Sequence, residues 1–204
     1  STFDRGLIVT LLLVLFLVTS GCSRNKYVGV RKMPKNPLAG PLNLVSRQGP
    51  RPTKRTRQTL RRLDLEEKLE SDPVEVLAEL QADVAVDPTA DKMHAIAELA
   101  YIEGFKADNL GQDSEALDSY GTAVAYAYYF LFDPAYDRFR NPYDPQFRRA
   151  CDLYNGALEA ALRLVQQEGQ LLPGETVELD TGHRRLLVSV ESRGSRQAAE
   201  FKKL

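Results

Sequence analysis

Hydrophobic and polar positions divide the chain into stretches of different period. Leu7 to Val18 is an unbroken apolar run, whereas Ser23 to Pro52 shows neither a 3.6-residue nor a two-residue repeat. From Thr56 to Glu168 the apolar residues recur at helical spacing, and Thr176 to Leu179 and Leu186 to Val190 have the character of two short strands.

The helical stretch has its own punctuation. Leu60, Leu63 and Leu69 share a face in a first segment that closes at Ser71 and Asp72. Asp72 then caps a second helix, with Pro73 at the first helical position, Glu75 three after the cap, and Val76, Leu77, Leu80 and Val84 as its stripe. Asp87-Pro88 repeats the device ahead of a third helix bearing Met93, Ile96, Ala97, Ala100, Gly104 and Ala107, small residues that imply a close neighbour. A turn at Asn109 to Gln112 leads to a fourth, with Ala116, Tyr120, Ala123, Ala127 and Leu131 on one face. Asp133 to Pro145 is a turn-rich connection, and Asp144 caps a fifth helix running to Glu168, whose expected core face is Phe147, Ala150, Cys151, Tyr154, Leu158, Ala161, Leu162 and Val165. Asp180 to His183 would then join the strands as a hairpin, too small to stand alone and expected to pack on the helices or on a further segment. The expected class is mainly α, with antiparallel helical hairpins and a small C-terminal β-hairpin, preceded by a disordered basic linker.

Charge sharpens the division. The 204 residues sum to a formal charge of −1, but twelve bases and no acid lie between Arg24 and Arg62, with a strong acidic excess from Leu63 onward. The apolar run before this basic stretch would rise only about 18 Å as a helix, short of the roughly 30 Å hydrocarbon layer, and so suggests a signal-peptide core. Val18-Thr19-Ser20-Gly21-Cys22 resembles a bacterial lipobox, in which small residues precede a cysteine that becomes lipidated. By that resemblance residues 1–21 are a signal peptide and 22–55 a lipidated Cys22 and its basic, proline-broken tether. The protein would then be an exported, membrane-anchored lipoprotein, with Ser23 favouring outer-membrane sorting. The tether's bases would add attraction to anionic head groups. Tyr27 alone interleaves aromatic surface among them, and nucleic acid is not an expected partner.

Candidate chemistry is sparse. His94 and His183 are the two imidazoles and Cys22 and Cys151 the two cysteines, at no zinc-like spacing. No nucleophile elbow, P-loop or dinucleotide fingerprint occurs, so neither a catalytic residue nor a cofactor is expected in these residues. Asp133, Asp137, Asn141 and Asp144 could supply oxygen ligands to a cation, though turn and capping roles account for them. Cys151 fits a small buried hydrophobe. Tyr126, Tyr128, Tyr129, Phe130 and Phe132 cover the end of the fourth helix on all sides, either as a core plug or as an interaction surface for a peptide or lipid.

The third and fourth helices, with Leu99 and Ala100, Gly111 in the turn, and Ala116, Tyr120 and Ala123, resemble a tetratricopeptide (TPR) hairpin. Ala97-Glu-Leu-Ala-Tyr-Ile-Glu-Gly104, Ala116-Leu-Asp-Ser-Tyr-Gly-Thr-Ala-Val124 and Asn141-Pro-Tyr-Asp-Pro-Gln-Phe-Arg-Arg-Ala-Cys-Asp-Leu-Tyr-Asn155 resemble the helical N-terminal region of large bacterial α/β-hydrolase-family precursors. That resemblance implies a membrane-directed leader, a non-catalytic helical domain (56–169), and, at 170–204, a hairpin with the start of a following segment. It also makes a downstream serine-hydrolase domain of the same chain the expected partner. The chain starts at Ser1, not Met, and Ser195 to Leu204 opens an amphipathic pattern without a stop signal, so a fragment is expected. The alternative is a self-contained lipoprotein that binds other proteins through its helical face.

Overall fold

The computed structural model describes residues 35–47, 49–168, 172, 174, 176–180 and 185–189. The chain divides into two units, Ser1–Lys35 and Asn36–Leu204, and the account that follows is of the second. Its described residues form helices α1 (Lys54–Arg62), α2 (Pro73–Val86), α3 (Ala90–Asn109), α4 (Asp113–Phe132) and α5 (Pro145–Glu168). Short 3-10 turns lie at Lys68–Glu70 and Pro134–Phe139, and strands β1 (Thr176–Asp180) and β2 (Arg185–Ser189) follow. The fold is mainly helical with a small antiparallel sheet. No helix among the described residues is long and apolar enough to cross a membrane.

Of the three Asp-Pro pairs expected to start α-helices, those at Asp72 and Asp144 do so. The Asp72 carboxylate accepts from the Glu75 N–H at 3.0 Å, and that of Asp144 from Gln146 at 2.8 Å. The third works differently. Thr89 caps α3, while Asp87 ends α2 and holds the Lys92 ammonium, which lies 2.7 Å from both Asp83 and Asp87 and so ties the two helices together.

α3 and α4 form the centre. The turn between them needs Gly111 at φ +72°, with the Gln112 N–H donating to the Ala107 carbonyl at 3.0 Å, so that the carbonyls ending α3 are satisfied. Contacts at Gly104 with Tyr120 and at His94 with Phe130 fix an antiparallel pairing. A Cβ at Gly104 would stand 2.8 Å from the Tyr120 ring, so only glycine admits this approach. α5 packs on α4 and runs parallel to α3. Asp91 accepts from Gln146, Tyr101 adjoins Gly156 and Asp108 accepts from Arg163, each pair separated by the same interval along the chain. The expected stripes of α3 and α4 are buried throughout. That of α5 is rotated: Ala150, Leu153, Ala157, Ala160, Leu164 and Val165 are buried, whereas Leu162 faces solvent. Apolar residues make up half of this helix, and the side carrying alanines meets α4 because it permits the closest approach.

Part of the stretch 22–55 expected as a tether is packed instead. Leu38 and Leu42 are each 1% exposed and Leu44 is 6% exposed, within the same core as Tyr101, Tyr120 and Leu153. Asn36 donates to the Tyr101 hydroxyl at 3.0 Å, and Arg51 N–H donates to the Leu42 carbonyl at 2.8 Å, closing the segment into a compact loop. Prolines and glycines suppress any period here without preventing burial, so a search for repeats misses it. The hairpin pairs Val177 with Val188, and both pack against this core, which supplies the surface it lacks alone.

Leu38→Ala should cost about 2–5 kcal/mol of unfolding free energy in a denaturant titration of the whole chain. An unchanged midpoint would mean that this segment is a tether after all.

Candidate functional site

The aromatic end of α4 divides between core and surface. Phe130 is buried and meets the His94 ring edge-on at 5.7 Å, and Tyr126 is half-buried. Tyr128, Tyr129 and Phe132 are 50, 47 and 53% exposed. Helical spacing explains the split: Ala123, Ala127 and Phe130 face α3, which leaves positions 128, 129 and 132 on the outside. There the Tyr128 and Phe132 rings meet at 5.0 Å, tilted by 44°, and Tyr154 of α5 joins them at 6.4 and 6.0 Å. Neither a wholly buried plug nor a wholly exposed surface describes the five residues. Half-covering three large rings leaves roughly 300 Å² of aromatic surface, worth on the order of 7 kcal/mol if removed from water, before the costs of association.

A second cluster lies inside. Glu98, 1% exposed, accepts from both the backbone N–H and the hydroxyl of Thr53, the latter at 3.1 Å. Thr53 also caps α1, so one carboxylate at mid-α3 anchors the start of α1. His94 lies one turn earlier, 2% exposed, with Nδ1 3.9 Å from the Glu98 carboxylate and Nε2 without a hydrogen-bond partner. Burial pushes the His94 imidazole down to about 4, with Arg55 and Arg149 adding to the effect against Asp91 and Asp144. Burial likewise pushes Glu98 up, against the Thr53 hydrogen bonds that favour its charged form. Above the pair, Arg55 bridges Asp91 at 3.2 Å and Asp144 at 3.1 Å, joining α1, α3 and the cap of α5. This cluster is a structural lock; His94 is sealed from any substrate. The sequence signal for it is two ionisable residues four apart inside the otherwise apolar stretch Met93 to Ile102.

Other candidates hold local roles. Asp133 accepts from Ala135 at 2.9 Å, Asn141 accepts from Tyr143 at 3.0 Å, and Asp137 pairs with Arg140 at 2.8 Å, while Asp144 is engaged as described. Cys151 is half-buried with its thiol pushed up by burial, which disfavours a reactive thiolate. Cys22 and His183 lie outside the described residues.

No family model, curated protein or solved structure matches the chain. What fold and surface define is a class: a mainly helical module with a sealed polar core and a solvent-facing aromatic patch.

The two buried groups set opposing pH dependences. Unfolded His94 protonates near 6.5 but folded His94 only near 4, so its contribution is present above pH 6.5 and is lost as pH falls toward 4, by about 3 kcal/mol. Folded Glu98, with its raised value, binds a proton more readily than the unfolded chain, so its contribution is present at low pH and is lost as pH rises. Glu98→Gln keeps an acceptor for Thr53 and removes the opposing effect. Its unfolding free energy should therefore fall more steeply from pH 6.5 to 4 than that of the parent, whereas Glu98→Ala should lose about 2–4 kcal/mol at neutral pH. A flat profile for Glu98→Gln would contradict the buried-neutral state of His94.

Proposed function

We propose that this protein is an exported, membrane-tethered docking module without chemistry of its own, whose outer α4–α5 face seats on a hydrolase domain of the same polypeptide. The observation that carries the docking part is the contact of half-exposed Tyr128 and Phe132 with partly buried Tyr154, held on two helices whose opposite faces are locked in the core. Rings presented on a rigid frame lose little side-chain freedom on association, which makes them efficient anchors. The tether rests on the lipobox-like residues ending at Cys22, and the identity of the partner on the resemblance of three helical stretches to hydrolase-precursor N-terminal regions.

The test uses the natural reading frame expressed in a bacterial host, with the photo-crosslinker p-benzoylphenylalanine at Tyr128. Irradiation should yield an adduct, by mass spectrometry, within the same polypeptide beyond Leu204. An adduct on a different polypeptide would favour the self-contained lipoprotein, and none at all would contradict docking by this face. In parallel, Cys22→Ala should accumulate as an uncleaved precursor; processing and release identical to the parent would remove the lipid anchor.

A further inference from the structure

An open, mostly apolar recess lies where the last turns of α2, the start of α3 and the end of α4 come together. α2, α3 and the loop between them contribute Val84, Met93 and Pro88, while α4 and the turn after it contribute three tyrosines, Tyr126, Tyr129 and Tyr136. The concentration of tyrosine has a local cause. Positions 126 and 129 are three apart and share a face of α4, and the Asp133 cap starts the 3-10 turn that brings Tyr136 to the same place. The Tyr126 and Tyr129 rings are 6.3 Å apart and nearly perpendicular, at 74°, so a group lodged beside both meets two ring surfaces at once.

Asp133 also lines the recess. One of its carboxylate oxygens accepts from the Ala135 N–H at 2.9 Å, and no base pairs with it among the described residues. The nearby bases are engaged otherwise: Lys92 lies 2.7 Å from Asp83 and from Asp87, and Arg140 lies 2.8 Å from Asp137 and donates to the main-chain carbonyl of Asp133. Burial and the Asp133 carboxylate both push the Tyr136 hydroxyl up, so the carboxylate charge is felt at that ring.

Aromatic faces with one carboxylate and an otherwise apolar lining favour a particular kind of cation. A hard metal ion needs about six oxygen ligands, which this lining does not offer. A primary ammonium brings three N–H donors that a mostly apolar lining leaves short of partners, whereas a quaternary ammonium presents methyl groups and spreads its charge over them. We propose that this recess binds a trimethylammonium group, its methyls against Tyr126, Tyr129 and Tyr136 and its charge balanced by Asp133. The inference depends on neither the tether nor the hydrolase partner.

Titration of the whole isotope-labelled chain with choline, followed through its amide shifts, provides the test. Choline should saturate in the millimolar range and move the amides of Tyr129 and Asp133 most. Its neutral isostere, with a quaternary carbon in place of the nitrogen, should bind about tenfold more weakly, the size of a partly desolvated cation–π contact. Tyr129 is 47% exposed and so replaceable without opening the core: Tyr129→Phe should keep the choline preference and Tyr129→Leu should abolish it. Asp133→Asn, which retains an acceptor for Ala135, should weaken choline about threefold and leave the isostere unchanged. Phosphocholine binding above glycine betaine would assign the group to a lipid headgroup and the reverse to a free solute, each in keeping with the site. Equal binding of choline and its isostere, no saturable shifts at the recess, or a choline preference untouched by Tyr129→Leu would overturn the proposal.

Discussion

The close approach of α3 to α4 is the constraint on which the rest depends. Gly104 lets the Tyr120 ring lie where any side chain would stand, and Ala97, Ala100, Ala116, Ala123 and Ala127 keep the two helices close along their length. Every residue of α3 from Lys92 to Ile102 is consequently buried, so this helix must be covered on all sides. α4 covers one, α5 and the Leu38 to Leu44 loop cover a second, and α1 and α2 a third. A helix enclosed this completely has no free face for polar residues, which is why Glu98 can persist there only by taking both donors of Thr53, and why His94 is held neutral.

That enclosure explains what was legible beforehand. The stripes of α2, α3 and α4 follow from spacing alone, because the residues at those spacings lie on faces that the fold buries. α5 does not, since it carries apolar residues over a wide arc and only the geometry of α4 selects the alanine side. The Leu38 to Leu44 loop was hidden for another reason: burial without secondary structure leaves no period to detect, and the surrounding bases and prolines have the composition of a tether. The Glu98 lock depends on Thr53, 45 positions away, and so required the fold. Of the five aromatic residues, their position at the end of α4 was legible, but which of them face solvent was set by the register of α4 on α3.

Function follows from the division between a locked interior and an uneven exterior. Glu98, whose titration burial displaces, holds the start of α1 to α3, and His94 is buried beside it. The surface instead carries two contrasting features, a cluster of partly exposed rings on the α4–α5 side and recesses between α2 and α3. Both rest on helices that the α3–α4 contact holds in place.

Native-state hydrogen exchange tests that dependence most directly. If the α3–α4 contact is the last structure to be lost, the amides of Ala97, Leu99, Ala100 and Ala123 should exchange only at the global unfolding free energy, while those of α2 and of the β1–β2 pair exchange through smaller, separate openings. Amides of α3 exchanging at lower free energy than those of α2 would show that the centre of this fold lies elsewhere.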